Sequence, residues 1–291
     1  NVALGDTALD SLTSGGDYNT VVGGNSGTAV TTGNYLTALG YAAGQTVTTG
    51  LRNTYIGGLS GDAATTANDN TGVGYGTLSA PGTGTQNTAI GTAALNVNTD
   101  GDNNTAVGRN ALLSNTTASD NTAVGYQAGY SNTTGTATTA VGSLSAKTNT
   151  TGQITAVGYA ALEANTTASG NTAVGVGAAR ANTTGTNNVA VGAEALRLNT
   201  TASYNTAVGY QAAYSNTTGT GHTMLGWKAG YSNTTGSGNT FLGRFAGWAN
   251  TTGEGNVFIG YRANGEYGAG HLVTTGSKNT ILGGYNGNQG G

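Results

Sequence analysis

The sequence predicts an all-β protein, a parallel β-solenoid of flat cross-section, and three observations lead there. A glycine closing an Asn-Thr-Ala-Val-Gly element recurs seventeen times, from Gly5 to Gly283, and thirteen of the sixteen intervals are 17 residues. A short fixed period of this kind means stacked repeats, each touching only its neighbours. The residue before the glycine is Leu, Val or Ile in every coil and the residue two earlier is Thr or Val, the period-two alternation of a short strand. No window sustains a 3.6-residue apolar period, because Gly and Asn-Thr-Thr interrupt every attempt.

Positions are counted from the marker glycine as zero. The strand occupies −4 to −1. Its −1 column, with Val107, Val124, Val141, Val174, Val191 and Val208 as representatives, and the Thr column at −3 are expected to form the solenoid core. Position −2 is mostly Ala, as at Ala106, Ala123, Ala173, Ala190 and Ala207, and −4 is Asn in thirteen coils. On the opposite face from Val, the Ala column is expected to allow close approach, and the Asn column to form an amide ladder like those of other stacked strands.

Position +3 is Ala in twelve coils, and nine coils then carry Asn-Thr-Thr, from Asn115 to Asn250. Each coil is therefore expected to hold two short strands and two tight turns, with Gly where the chain reverses. Seventeen residues are too few for a wide coil, so the expected form is a flat β-roll. About seventeen coils at ~4.8 Å each would extend roughly 80 Å.

The irregularities lie at particular places. One interval is a residue short, near Thr151-Gly152-Gln153-Ile154, and the last is 23 residues. The −2 column changes to Met224, Phe241, Phe258 and Ile281, while Trp227, Phe245 and Trp248 appear nearby. That end is expected to be bulkier, with residues 264 to 271 leaving the stack as a loop. The domain reading is thus a repeat array over 1–263 and an irregular terminal coil over 264–291, a cap or junction. Because residue 1 already lies inside a repeat, the chain is expected to be a fragment or processed segment.

Composition narrows function. Charged residues are 7% and the net charge is −3, far from the basic footprint of a nucleic-acid binder. Like charges stacked coil upon coil would repel, which accounts for the scarcity. There is no cysteine, hence no disulfide framework or thiolate metal site. No apolar run is long enough to span a bilayer as a helix.

Asn121-Thr122-Ala123-Val124-Gly125 followed by Ala128, and Asn171-Thr172-Ala173-Val174-Gly175 followed by Ala178, resemble the Ser-Val-Ala-Ile-Gly-x-x-Ala repeat of YadA-type trimeric autotransporter adhesin heads, with related repeats in trimeric phage tail fibres. The resemblance covers essentially the whole chain. It implies a left-handed roll, three copies of which associate into an adhesive or receptor-binding fibre, with Val124 and Thr122 inside the roll and Ala123 against a neighbouring copy. Ala106, Ala173, Ala190, Ala207, Phe241 and Phe258 become inter-chain packing candidates on the same grounds. The period of 17 with its Asn-Thr-Thr arm is longer than the family's usual repeat.

Chemistry-bearing constellations are few. Asp100-Gly101-Asp102-Asn103-Asn104 is the densest oxygen cluster; calcium ligation is weighed there against a turn, and the turn is favoured because neighbouring coils lack the pair. His222 and His271 have no acidic partners in sequence that would make a triad or zinc site. No carboxylates are paired as in a glycosidase, and no Gly-rich stretch leads into a helix as a phosphate loop does. Tyr126, Tyr210, Trp227, Trp248, Tyr261 and His271 are receptor-contact candidates, since aromatic rings either stack on sugars or cover roll edges.

The expected function is non-enzymatic: a structural and adhesive segment of an extracellular trimeric fibre, at a cell surface or on a virion, attaching to a host receptor or glycan. No cofactor, metal, nucleic acid or membrane insertion is expected. The alternatives are an ice-binding solenoid with Thr and Asn ladders and a matrix filament without a receptor.

Overall fold

A computed structural model describes residues 1–13, 15–80, 82–261 and 268–284. Throughout them the protein is an all-β parallel solenoid with no helix. It divides into two compact units, Asn1–Thr151 and Gly152–Gly291, and the division falls at the coil that is one residue short.

The first unit contains β1 (Val2–Leu4), β2 (Thr20–Val22), β3 (Thr37–Leu39), β4 (Thr54–Ile56), β5 (Thr71–Val73), β6 (Thr88–Ile90), β7 (Thr105–Val107), β8 (Thr122–Val124) and β9 (Thr139–Val141). The second contains β10 (Ile154–Val157), β11 (Asn171–Val174), β12 (Val189–Val191), β13 (Thr206–Val208), β14 (Thr223–Leu225), β15 (Thr240–Leu242), β16 (Val257–Ile259) and β17 (Thr280–Leu282). Within each unit every strand pairs in parallel with the next and in register, so that Ala106 lies beside Ala123 and Val107 beside Val124.

The marker glycine ends each strand because nothing else fits. Gly125 has φ 137°, and a Cβ there would lie 2.6 Å from the carbonyl carbon of Gly142 in the next coil. A side chain would meet both an unfavourable backbone region and the neighbouring backbone.

Regular strand is confined to one short segment per coil, where two were expected. The Asn-Thr-Thr arm is hydrogen-bonded from coil to coil without being a regular strand: Thr133 N–H donates to the Thr150 carbonyl at 3.0 Å and Thr183 N–H to that of Thr200 at 2.9 Å. These are bends that stack.

The two strand faces are the reverse of the expected ones. Ala106, Ala123, Ala173, Ala190 and Ala207 are buried inside their own coils, while Val107, Val124, Val141, Val174, Val191 and Val208 point outward and are half-exposed or exposed, Val124 at 37%. Thr122 is likewise outside. Phe241 and Phe258, expected between chains, are wholly buried and stack on each other with centroids 5.0 Å apart.

Asparagine decides the inversion. The −4 side chain crosses the interior: Asn104 Nδ2 donates to the Ala118 carbonyl on the opposite arm of its own coil at 2.9 Å, and its Oδ1 accepts the Asn121 backbone N–H of the next coil at 3.0 Å. A second interior column runs along the other arm. Asn115 Nδ2 bonds the Asn98 Oδ1 at 2.8 Å and the Ala118 carbonyl at 3.0 Å, and Asn182, Asn199 and Asn216 repeat the pattern. Buried backbone groups must find partners, and asparagine, with a donor and an acceptor on one short side chain, supplies both. With −4 inside, the period of two places −2 inside and leaves −3 and −1 outside.

The bulky coils do not widen outward. At Tyr55, Met224 and Phe241, where −2 is large, the position six residues on is glycine, namely Gly61, Gly230 and Gly247, and Gly270 takes that place against Phe258 after the insertion; a Cβ on Gly61 would lie 2.4 Å from the Tyr55 ring. Where −2 is Ala, that position is often Leu, as in Leu95, Leu112, Leu162 and Leu196, all fully buried. The two positions exchange volume within a fixed cross-section, as close packing demands.

In the last coil, Tyr261 and Gly268 form an antiparallel bridge, and the Gly247 N–H donates to the Ala269 carbonyl at 2.9 Å. The chain has thus rejoined the stack by Gly268, and His271 is buried and not on a protruding loop. Of the expected loop, residues 264–267 lie outside the described residues, as do 285–291 of the expected terminal segment.

Candidate binding surface

The sequence candidates separate into different places. Tyr126 is exposed beside β8 in the first unit. In the second unit Tyr210, Trp227 and Tyr261 occupy the +1 position of coils whose intervening member carries Arg244, giving an outward column Tyr, Trp, Arg, Tyr over four consecutive coils. Trp248 and His271 belong to a second row one step behind it.

The first row is held by ring and cation contacts. Tyr210 and Trp227 stack at 6.2 Å, and Phe245 meets Trp227 edge-on at 4.5 Å. The Arg244 guanidinium carbon lies 4.9 Å from the Trp227 ring centre and 5.5 Å from that of Tyr261, while Arg244 Nη1 donates to the Tyr261 hydroxyl at 3.2 Å. Such placements are attractive because the ring face is electron-rich.

The second row is a ladder of stacked rings. Tyr214 lies on Tyr231 at 5.1 Å, Tyr231 on Trp248 at 6.1 Å and Trp248 on His271 at 5.0 Å. Its members are half-buried, with His271 buried and its imidazole pKa lowered by desolvation. Between the rows sits Lys228, whose Nζ is 4.8 Å from the Trp227 ring and 5.3 Å from the Tyr231 ring.

The sequence also singles out Tyr214 and Tyr231, with Trp248, as a +5 set of aromatics and Phe245 as a bulky neighbour; the two cations, Lys228 and Arg244, are the members of this cluster that sequence reading missed. The signal was present: written in rows of 17, the +1 and +2 positions of consecutive coils bring Tyr210, Trp227, Lys228, Arg244, Phe245 and Tyr261 together.

His222, Asp100 and Asp102 have structural partners. His222 replaces a −4 Asn and reproduces its bonds: Nδ1 accepts the Asn239 backbone N–H at 3.2 Å, and the Gly236 carbonyl on the opposite arm is its other partner. Burial pushes its pKa down to about 4, so the ring is neutral at pH 7. Asp100 Oδ1 accepts from the Thr83 hydroxyl at 2.9 Å, and Asp102 Oδ1 accepts from Thr85 N–H at 2.6 Å and its hydroxyl at 2.9 Å. Both carboxylates tie adjacent coils together. Among the described residues no three His, Asp or Glu side chains gather as metal ligands, and no helix is long and apolar enough to cross a membrane. A cavity lined by Tyr55, Asn70 and Leu78 measures about 10 Å³, room for one water molecule.

Compared with known proteins, the chain matches no family model and no curated sequence.

Proposed function

We propose that the chain is a non-enzymatic structural and adhesive segment of an extracellular fibre, of the bacterial adhesin-head or phage tail-fibre kind, in which three copies associate about a common axis with left-handed coils. Its role is attachment to a cell surface. The observation that supports this reading is the outward aliphatic ladder. Leu39, Ile90, Val124, Val174, Val208 and Leu242 are all exposed members of the −1 column, and the residues between them are of the same type. Each unit thus carries its own apolar stripe, which is uncommon on a soluble monomer and marks an interaction surface. A copy of the same chain carries the same stripe at the same coil spacing, so two or three ladders match along their length. The surface available for inter-chain packing is therefore Val and Thr, with Ala spent inside the coil.

Light scattering over a dilution series tests the assembly. A stable trimer is expected, and a monomer at all concentrations would remove the fibre reading. A filament without a receptor shares the same assembly and differs in binding no surface.

One observation favours ice binding as a second reading. Positions +9 and +11 carry Thr-Gly-Thr or Thr-Ala-Ser, as in Thr134-Gly135-Thr136 and Thr201-Ala202-Ser203, with the middle residue buried and the first Thr exposed. This is a paired hydroxyl array on one face, which adjacent Thr133 and Thr134 alone would not form. Against it, Ser119, Ser203 and Ser237 accept backbone N–H bonds from the preceding coil at 3.0, 2.9 and 3.1 Å. Half of one column is thereby committed to holding coils together. Absence of thermal hysteresis at high protein concentration would end this reading.

A further inference from the structure

The second unit places two cations on an exposed aromatic surface, and no carboxylate among the described residues pairs with them. Arg52, Arg180 and Arg197 each pair with a carboxylate, whereas Lys228 and Arg244 form no ion pair among the described residues. The closest acidic member of the +2 column, Glu194, is already bound by Arg197 and by Gln211 Nε2. In a chain with 7% charged residues and a net charge of −3, adjacent unpaired cations in consecutive coils are a local exception. They lie over Trp227, which is itself exposed and flanked by the exposed rings of Tyr210 and Tyr261.

We infer that this surface binds an acidic polysaccharide, a run of pyranose rings bearing carboxylate or sulfate groups. The inference rests on the attachment reading above and names the chemistry of what is attached to. Aromatic faces fit the apolar C–H faces of sugar rings while their polar edges remain wet. Arg and Lys supply charge-assisted bonds to the anionic substituents, Arg with a planar fork that suits a carboxylate. The cluster spans several coils, so its rings and cations repeat along the stack and meet successive residues of a polymer. Two cations are too few to hold a nucleic acid, where firm binding draws on about 6–10 phosphate contacts. A neutral sugar would leave both cations unused.

The test uses the full chain with Trp248→Phe, so that fluorescence reports on Trp227 alone. Polygalacturonate is the acidic probe and dextran the neutral one. Polygalacturonate is expected to shift the Trp227 emission and dextran to leave it unchanged. Lys228→Ala with Arg244→Ala, followed by an immobilised-polymer assay, should weaken polygalacturonate binding about tenfold or more, the scale of one or two lost charge-assisted bonds. Trp227→Ala should weaken it comparably, while Arg109→Ala with Lys278→Ala should not. Equal binding of dextran, or equal loss with the remote pair, would overturn the inference and leave attachment standing. Binding of neither polymer would also overturn it, and the light-scattering mass would then decide the fibre reading by itself.

Discussion

Exchanging the volumes of Phe241 and Gly247 tests how the interior of a coil is filled. Phe241 is wholly buried, stacks on Phe258 at 5.0 Å and occupies the space a Cβ on Gly247 would need, 2.6 Å from its ring. Phe241→Ala should cost about 3–5 kcal/mol, the range for emptying a buried aromatic site. Gly247→Leu alone should also destabilise, by about 1–3 kcal/mol of overpacking, because ring and side chain claim the same room. The double variant recreates the Ala and Leu pairing native to Ala106 with Leu112 and Ala190 with Leu196. Gly247 has φ 59°, and Leu112 and Leu196 hold φ 47° and 50° at the same step, so the backbone already accepts leucine there. A residual cost of roughly 1–2 kcal/mol for the left-handed conformation remains. The double variant should therefore be more stable than Phe241→Ala, with a favourable coupling of at least about 2 kcal/mol. Urea unfolding of all four proteins, read alongside hydrogen exchange of the amides in the affected coils, measures the cycle. Hydrogen exchange is needed because a repeat array need not unfold in one step. Additive losses would refute the shared-volume account.

His222 makes stability depend on acid. The unfolded ring takes up its proton near pH 6.5 and the folded ring only near 4, so protonation favours unfolding. Stability should be intact above about 6.5 and fall progressively below it, by about 3 kcal/mol once pH drops under 4; His222→Asn, which restores the column, should flatten that part of the profile. Asn104→Ala should cost about 1–3 kcal/mol for the buried Asn121 N–H it orphans, the Ala118 carbonyl keeping its bond from Asn115 Nδ2, and Asn104→Asp should not rescue it because a buried carboxylate would sit unpaired against the Ala118 carbonyl oxygen; thermal unfolding reads both. Val107→Lys, Val124→Lys and Val141→Lys together should lower the native mass from trimer to monomer while leaving the circular dichroism spectrum intact, since these side chains already face outward; an unchanged mass would place the contact elsewhere. Gly125→Ala should destabilise more than Gly15→Ala, because the first would press a Cβ on the Gly142 carbonyl and the second meets nothing within 4 Å, as denaturation midpoints would show.

The sequence alone determined the period, the position of the one regular strand in each coil and the alternation that separates −3 and −1 from −4 and −2, because a stacked coil repeats its chemistry at its own length, though it also led to a second strand where the Asn-Thr-Thr arm only bends. It also located both Asn columns and the aromatic coils. Parity, however, is symmetric: alternation says that two sets of residues face opposite ways without saying which way is in. Hydrophobicity pointed to Val, yet the interior belongs to Ala and Asn. The tertiary structure decides this because the buried N–H and carbonyl groups of a coil need asparagine amides that reach across one coil and into the next, and once −4 is inside, −2 is inside with it. Trp227 and Phe241 show the same division, equally bulky in sequence and on opposite sides of the wall. Phe241 takes the inward −2 place, where Gly247 leaves room for its ring, while Trp227 at +1 stays at the surface with Lys228 and Arg244.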